Sequence, residues 1–352
     1  MFRPFRGCLS VEDSVGWLRV ERPTLNREVF EIHFMNMSLP KRTGTFLVCT
    51  LALAAVGAQP SSNEVQRAEA ESRQASSPRW FFNVDGGYVH QLSTSLDEGG
   101  DFEVNRFAVR AGFGYQPDAT KSVGLGVGYD RNHYHFSGRS GFGGTDPWDA
   151  INTIRLGLPI RWGFDHRWTL FALPSIRWNA EEGADWNQSA SGGGILGLSY
   201  RFNKRLTLGP GLGALTQLED SPTYFPVLLI RWNLADRWWL STDEGLGASQ
   251  GPGLALTYVA SDQWNLFLGG RYENFRFRLA DTGPNPDGVG EDSGVPIYLG
   301  ATYRWHRGRS ISLISGVKVG GELTLDNSSG HKIADTDYDP SPFVGLSCDV
   351  RF

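Results

Sequence analysis

Hydrophobic and polar residues alternate with a period of two along Arg79–Phe352. Within Arg106–Tyr115, every second residue is apolar and the residues between them are arginine, alanine or glycine; Ile154–Trp162 and Val295–Trp305 alternate in the same way. Successive side chains of a β-strand point to opposite faces, so each segment predicts a strand with one apolar face and one small or polar face. A soluble β-sandwich also alternates, but its strands are usually shorter and end less regularly in aromatic residues.

The connections between these segments alternate between short and long. The short ones combine aromatic, polar and basic residues, and lie near Gly163, Asn203, Asn233, Ser261 and His306 and at Gln116–Ser122. The long ones are rich in Gly and Asp, and span Gln91–Asp101, Ser137–Trp148, Ala180–Gln188, Gln217–Pro222, Leu246–Pro252, Asp281–Ser293 and Asp326–Pro340. Bacterial outer-membrane barrels have this asymmetry, with short periplasmic turns, longer extracellular loops and aromatic girdles.

The pattern therefore predicts an all-β fold, a closed antiparallel transmembrane β-barrel of about fourteen strands (twelve to sixteen) with both ends periplasmic. Closure is required because every backbone N–H and C=O must be paired in lipid, and only a ring of strands leaves no edge. One segment does not fit this number of strands simply, because its apolar residues change face: those of Trp264–Leu268 and those of Phe275–Leu279 lie on opposite sides of the strand. A bulge near Gly269–Gly270, or a strand that continues above the membrane, would explain the change.

The first part of the chain predicts export. Lys41 and Arg42 precede the apolar run Thr45–Val56, and small residues up to Ala58 suit a cleavage site. We expect residues 1–36 to be an over-extended gene start, 37–58 a cleaved signal peptide, 59–78 a flexible periplasmic linker, and 79–352 the outer-membrane barrel. A long leader, or a cytoplasmic segment before an anchor, is the alternative for the first of these.

Composition narrows the choice of partners. The sequence has 33 Lys and Arg, of which seven lie up to Ala58, and 38 Asp and Glu, of which five lie there. The mature chain would therefore carry 26 basic and 33 acidic residues, a net charge of −7, which argues against nucleic acid as a partner. Cys348 would be the only cysteine after cleavage, so no internal disulfide is expected. Metal-site, phosphate-loop and dinucleotide motifs are absent from the sequence, and we expect no cofactor and no bound metal.

Four segments carry a family resemblance: WFFNVDGGYVHQ from Trp80, RLTLGPGLGALTQLED from Arg205, GPGLALTY from Gly251 and GVGEDSGVPIYLGATYRW from Gly288. They resemble an uncharacterised family of bacterial outer-membrane β-barrels, a domain of unknown function, over about Trp80–Phe352. The resemblance implies the fold and the outer-membrane location. It implies no activity, because the family has no established functional residues to carry over.

The final segment, Pro342–Phe352, places apolar residues at alternate positions and ends on Phe352. This resembles the assembly signal of outer-membrane barrels; an ordinary edge strand that ends on phenylalanine by chance is the alternative. We expect outer-membrane lipid and lipopolysaccharide as surroundings, with the barrel-assembly machinery and periplasmic chaperones as partners during export.

Six arginines lie opposite the apolar faces and are predicted to line the lumen: Arg106, Arg110, Arg155, Arg161, Arg231 and Arg304. An Arg- and Gly-lined lumen could pass small anionic or zwitterionic solutes, so a passive channel or transport barrel is the leading hypothesis. Alternatively, these arginines pair with Asp85, Asp130, Asp243 or Glu273 inside a blocked, non-conducting structural or surface-interaction barrel. A transporter of hydrophobic ligands is disfavoured, because no hatch domain fits before the first strand.

Other candidate sites are weaker. The long connections collect acidic residues, and Asp281–Asp292 could hold a hard cation, although its spacing fits no defined calcium loop and a solvated acidic rim is the simpler interpretation. The G-x-S-x-G match at Gly247–Gly251 lacks the strand–turn–helix context of a nucleophile elbow. His133, His135 and Ser137 form the one grouping suited to hydrolysis, but rim histidines are usually plain surface residues, so we expect no enzyme.

Overall fold

A computed structural model of the chain describes residues 78–242 and 253–352. The described strand segments form one closed sheet: β1 (Arg79–Ser95), β2 (Asp101–Gln116), β3 (Lys121–Ser137), β4 (Ala150–Gly157), β5 (Ile160–Gly163), β6 (Trp168–Glu181), β7 (Ala190–Arg201), β8 (Leu206–Gln217), β9 (Asp220–Ala235), β10 (Trp238–Ser241), β11 (Gly253–Val259), β12 (Trp264–Arg271), β13 (Glu273–Arg278), β14 (Val289–His306), β15 (Arg309–Asp326), β16 (Lys332–Tyr338) and β17 (Ser341–Arg351). The predicted gene start and signal peptide, and nearly all of the linker, lie outside the described residues.

Fourteen barrel strands result when segments that continue each other are joined. β3 pairs with both β4 and β5, β14 with both β12 and β13, and β15 with both β16 and β17. Two of the breaks coincide with Pro159 and Pro340, which have no N–H to give to a ladder. β1 pairs antiparallel with both β2 and β17, which closes the sheet on itself. The predicted closed antiparallel barrel of about fourteen strands is confirmed.

The two ends of the barrel differ, and we call them the short-turn end and the long-connection end. Turns of two to four residues, such as Arg307–Gly308 with Gly308 at φ +67°, join neighbouring strands at the short-turn end. In the turn before β3, Asp118 accepts hydrogen bonds from the hydroxyl and N–H of Thr120 and from the N–H of Lys121, which hold the pKa of its carboxyl below the usual value.

Two of the predicted long connections are wrong in detail. Gln217–Pro222 contains only a two-residue turn between β8 and β9, in which Glu219 adopts φ +50°. Asp326–Pro340 contains β16, which pairs with the upper part of β15. In both places Asp, Ser and Thr residues made the sequence resemble a loop, whereas cross-strand pairing outweighs their weak β-propensity.

The outer face carries an apolar belt. On β2 the belt runs from Tyr115 to Phe107, roughly 27 Å along the strand at about 3.4 Å per residue. Beyond Phe107 the outward residues become polar, beginning with Asn105. Directly opposed Trp–Tyr pairs mark the short-turn end of the belt, at Trp80–Tyr115, Trp168–Tyr200, Trp238–Tyr258 and Trp264–Tyr303, with ring centroids 4.6–4.9 Å apart.

Above the belt, some strands continue and close into a smaller ring. β12 pairs with β11 up to Arg271, the partner of the first described residue of β11. Its continuation β13 meets β6, where Arg278 pairs with Ala180 in a parallel bridge. Asn179 donates to the carbonyl of Arg276 at 2.9 Å, and Leu96 bridges to Tyr338 on the far side. Among the described strands, β1–β4, β6 and β13–β16 form this level, which we call the upper ring.

The upper ring explains the change of parity at β12 and β13. The pairs Gly270–Ile297 and Glu273–Gly294 keep one register against β14, so the predicted bulge near Gly269–Gly270 is wrong and the predicted continuation is right. Phe275 and Phe277 lie on the inward face that Arg271 occupies lower down, and both are buried. The described helices are α1 (Gly141–Thr145) and a single 3₁₀ turn (Trp186–Gln188), and neither is long or apolar enough to cross a membrane.

Candidate functional site

A row of charged residues crosses five neighbouring strands of the inner wall. Cross-strand partners link Asp85 on β1 to Arg110 on β2, Arg110 to Gly128 on β3, Gly128 to Arg155 on β4, and Arg155 to Arg177 on β6. Because partners in register point to the same face of a sheet, all four charged side chains face the lumen at one level. We call these residues the inner charged row.

Two arginines of this row converge on one carboxylate. Asp130, two residues above Gly128, accepts a hydrogen bond from Arg155 and lies 3.7 Å from the nearest guanidinium nitrogen of Arg110. Gly128 provides the room, since a Cβ there would come within 2.8 Å of Cγ of Arg155 and 3.3 Å of Cγ of Arg110. The glycine therefore lets both arginine stems cross the strand on which their partner is placed.

Arg177 has no carboxylate partner among the described residues. Its Nε donates to the hydroxyl of Ser191 at 3.1 Å, and its register partner, Arg155, carries the same charge. Like charges placed directly opposite on neighbouring strands repel each other. The row with Asp130 holds three guanidinium groups and two carboxylates. On the next strand Asp349, the register partner of Asp85, lies 3.7 Å from Arg351, so this part of the wall keeps one net positive charge.

A second set of charges lies between the row and the upper ring. Lys318 Nζ lies 2.7 Å from Asp292, Asp292 lies 3.0 Å from Arg106, Arg106 lies 3.9 Å from Glu273, and Glu273 lies 3.0 Å from Arg271. The five residues form an alternating sequence of charges that begins and ends on a cation. We call them the buried ion chain.

Asp292 is the centre of the buried ion chain and is fully buried. One of its carboxylate oxygens accepts hydrogen bonds from Lys318 and Tyr338, and the other from Arg106 and Tyr134, at 2.7–3.0 Å. Because these four donors come from four other strand segments, one carboxylate connects five segments of the wall. The prediction that Asp292 belongs to an exposed acidic rim is wrong, since β14 begins at Val289 and places this residue inside.

Buried apolar side chains fill the interior of the upper ring. Trp148 lies at the centre, with ring centroids 5.2–6.0 Å from those of Tyr134, Phe136, Phe142 and Phe277. Trp148 and Phe142 belong to the connection between β3 and β4, which folds inward instead of into solvent. We call this set the closure core: Leu96, Phe102, Val104, Tyr134, Phe136, Phe142, Trp148, Ile151, Phe275, Phe277, Leu279, Leu323 and Tyr338.

Among the described residues, the closure core fills the part of the long-connection end that the upper ring encloses. A ring of about eight strands has an interior that side chains can fill, and aromatic and aliphatic side chains fill this ring of nine described segments. Outside the closure core, Arg276 and Arg278 connect β13 to the turn between β8 and β9. Arg276 donates to the carbonyl of Leu218 at 2.9 Å, and Arg278 lies 2.6 Å from Glu219.

The structure places the six predicted lumen arginines differently. Arg106 belongs to the buried ion chain, and Arg110 and Arg155 belong to the inner charged row. Arg161 is exposed at the short-turn end, Arg231 is half-buried opposite Thr207 and Ser241, and half-buried Arg304 lies 3.5 Å from the carbonyl of Asp262. All six alternate with outward aromatic or apolar residues, and their solute-handling role stays a prediction.

The sequence analysis missed several residues of the inner wall. Two of them are the cations Lys318 and Arg177. The others form an apolar cluster that faces the lumen from β6 to β9, namely Leu173, Ile195, Leu215, Phe225 and Val227. The parity that selected Arg155 would also have selected Arg177, which follows Leu173 and Ser175 on the same face. Apolar residues on an inward face could not be recognised, because a polar lumen was expected there.

The remaining candidate sites gain little support. His133 lies 2.9 Å from Asp149 on the outer surface above the belt, with no serine in this contact. Within residues 78–242 and 253–352, no group of three or more His, Cys, Asp or Glu side chains could hold a metal ion. The G-x-S-x-G segment and Asp243 lie outside the described residues. Phe352 is 70% exposed and packs on Phe82 at 6.0 Å, and its assembly role stays a prediction.

The solved structures similar to this chain share little sequence with it, and the TM-scores given below are under 0.5. No protein-family model and no curated protein match the chain. Similar solved structures include an outer membrane channel from Pseudomonas putida F1 (9% identity, 78% of this chain and 96% of that one, TM-score 0.44) and the Pseudomonas putida toluene transporter TodX (10%, 80% and 91%, 0.39). The translocator domain of autotransporter NalP from Neisseria meningitidis is a third (15%, 81% and 94%, 0.31). Membership of a particular uncharacterised family stays a prediction.

Proposed function

We propose that this chain is an outer-membrane barrel that transports small solutes, preferring anions, and that the closure core and buried ion chain hold it in a closed state. The observation that carries the proposal is the inner charged row, a cationic surface placed inside a closed barrel. Charges are costly to bury unless they are paired or functional, and within residues 78–242 and 253–352 the partner of Arg177 is the hydroxyl of Ser191.

The outer face supports a membrane location. An apolar belt lies around a barrel whose strands pair in a closed ring, which is the arrangement a bilayer requires. The Trp–Tyr pairs at the short-turn end suit the headgroup level, where an aromatic ring has one apolar and one wet side. With the predicted signal peptide, this favours the outer membrane, with the short-turn end in the periplasm and the long-connection end outside.

The inner charged row supports the preference for anions. Three guanidinium groups and two carboxylates on one wall leave a net positive potential, which attracts anions and repels cations in a narrow, low-dielectric passage. In this proposal Arg110 and Arg155 select the solute together with Arg177. Arg161, Arg231 and Arg304 line other levels of the wall, and Arg106 belongs to the closure.

The alternative is a non-conducting structural or surface-interaction barrel. The closure core favours it, because thirteen buried residues seal the upper ring among the described strands. The ion pairs of Asp130 and Asp292 favour it as well, since paired charges can simply satisfy a filled interior. The two candidates differ in one measurable property, which is whether an ionic path through the barrel ever opens.

Ion selectivity tests the proposed function. The refolded chain is inserted in a planar bilayer between unequal KCl concentrations, and we expect openings whose reversal potential indicates preference for chloride. The double variant R155Q/R177Q should lose most of this preference, whereas R205Q, on an exposed turn beside Asp236, should keep it. Openings without anion preference, or with equal preference in R155Q/R177Q, would contradict the role of the row. A bilayer that stays sealed supports the non-conducting barrel.

A further inference from the structure

A small cavity lies beside the buried ion chain. It has a volume of about 30 Å³, and its lining includes Gln91, Arg106, Arg271, Glu273 and Lys318. Thus four of the five members of the ion chain face it, and Asp292 lies behind them. The pocket is partly enclosed, and a space of this size holds one monatomic ion or about two water molecules.

The charges around the cavity do not balance. The buried ion chain has three cations (Arg271, Arg106 and Lys318) and two carboxylates, and its two ends are both cationic. The side chains of Arg271, Lys318 and Asp292 are more than nine-tenths buried, and that of Glu273 is 11% exposed. An uncompensated charge is expensive where water is excluded, and a neutral water molecule cannot cancel it.

Gln91 supplies a second, independent observation. Its Oε1 accepts a hydrogen bond from Arg106 at 3.0 Å, which fixes the orientation of the amide. Its Nε2 is buried and has no hydrogen-bond partner among the described residues, and the residue as a whole is 2% exposed. A buried donor without an acceptor costs free energy, so this amide lacks an acceptor at the wall of the cavity.

We propose that the cavity binds one halide ion, chloride under ordinary conditions, which accepts from the Gln91 amide and balances the excess charge of the ion chain. The neighbouring apolar residues Val89, Ile314 and Phe343 exclude larger hydrated anions. A bound halide would join β1, β2, β12, β14 and β15 at the level where the barrel begins to narrow. The closure would then be stabilised by chloride.

The test is the thermal stability of the full chain in detergent micelles, which needs no open channel. We expect the unfolding midpoint to rise saturably with sodium chloride or sodium bromide, by roughly 5 °C at saturation, relative to sodium gluconate at equal ionic strength. Gluconate is too large for the cavity. A midpoint that is the same in halide and gluconate would overturn the proposal, and would indicate that water occupies the cavity.

A charge-replacement variant separates this cavity from other anion sites. In Gln91→Glu the protein supplies the missing negative charge, so the variant should be as stable in gluconate as the wild type is in chloride, with no further halide response. Gln116→Glu, the same change at the short-turn end, should keep the response. If Gln91→Glu does not fold, Gln91→Leu removes the donor alone and should weaken the halide response. A bromide anomalous-scattering peak outside the cavity, or an unchanged response in both Gln91 variants, would refute the assignment.

Discussion

At the residue scale, the strand register places a glycine between two arginines, and the glycine gives their side chains room to reach a shared carboxylate. Arg110 and Arg155 reach Asp130 because the residue between them in the row is Gly128. Alternation alone was enough to predict that both arginines point inward. It could not identify their partner, since the partner depends on how far each strand is shifted against the next, which turn lengths and long-range pairing determine.

Gly128→Ala is expected to destabilise the barrel by about 1–3 kcal/mol, because its Cβ would lie 2.8 Å from Arg155 Cγ and push both arginine stems aside. The measurement is urea unfolding in micelles. Gly192→Ala is the matched control: its nearest neighbour, the carbonyl oxygen of Ser175, is 3.8 Å away, so we expect no loss. Equal behaviour of the two variants would show that the row tolerates a side chain at Gly128.

Asp292→Asn should cost about 3–5 kcal/mol, since it leaves Arg106 and Lys318 buried without their shared carboxylate. Tyr134→Phe removes only one of the four donors and should cost about 1.5–3 kcal/mol. Asp236→Asn on an exposed turn is the control and should change the free energy of unfolding by less than about 0.5 kcal/mol. An Asp292→Asn barrel as stable as the control would exclude a central role for this carboxylate.

At the scale of elements, one strand serves two levels of the molecule. The inward face of β12 and β13 carries Phe267, Arg271 and Glu273 in the barrel and Phe275 and Phe277 in the upper ring. The sequence predicted the strand and offered a continuation above the membrane as one explanation of its parity. That β13 crosses to β6 was not predictable, because a single bridge between distant strands leaves no periodic signal.

Trp148→Ala should destabilise the upper ring by about 3–5 kcal/mol, because four aromatic rings lose their central contact. Hydrogen exchange should then accelerate in β13 and β16 and remain slow in β7 and β8, which lie outside the ring. Trp186→Ala, on the exposed 3₁₀ turn, is the control and should leave both regions unchanged. Uniform acceleration around the barrel would mean that the upper ring is not a separate unit.

At the scale of the whole molecule, the barrel combines a wide lower part with a narrow, filled upper part. Fourteen strands enclose more space than side chains normally fill, whereas the upper ring is close to the size that they do fill. The alternation of connections predicted the barrel and its two unlike ends. The sequence analysis missed the closure because Phe142 and Trp148 lie in a Gly- and Asp-rich connection. These two aromatic residues were the sign in that connection that it packs inside the barrel.

The most direct test of a closed transport barrel is single-channel conductance in a planar bilayer, with wild type and Trp148→Ala compared at the same protein density. We predict that the wild type is silent for most of the record with brief openings, and that Trp148→Ala is open for a clearly larger fraction of time. Trp186→Ala should behave as the wild type does. If wild type and Trp148→Ala both remain sealed at every voltage, the barrel does not transport solutes and the non-conducting alternative is correct.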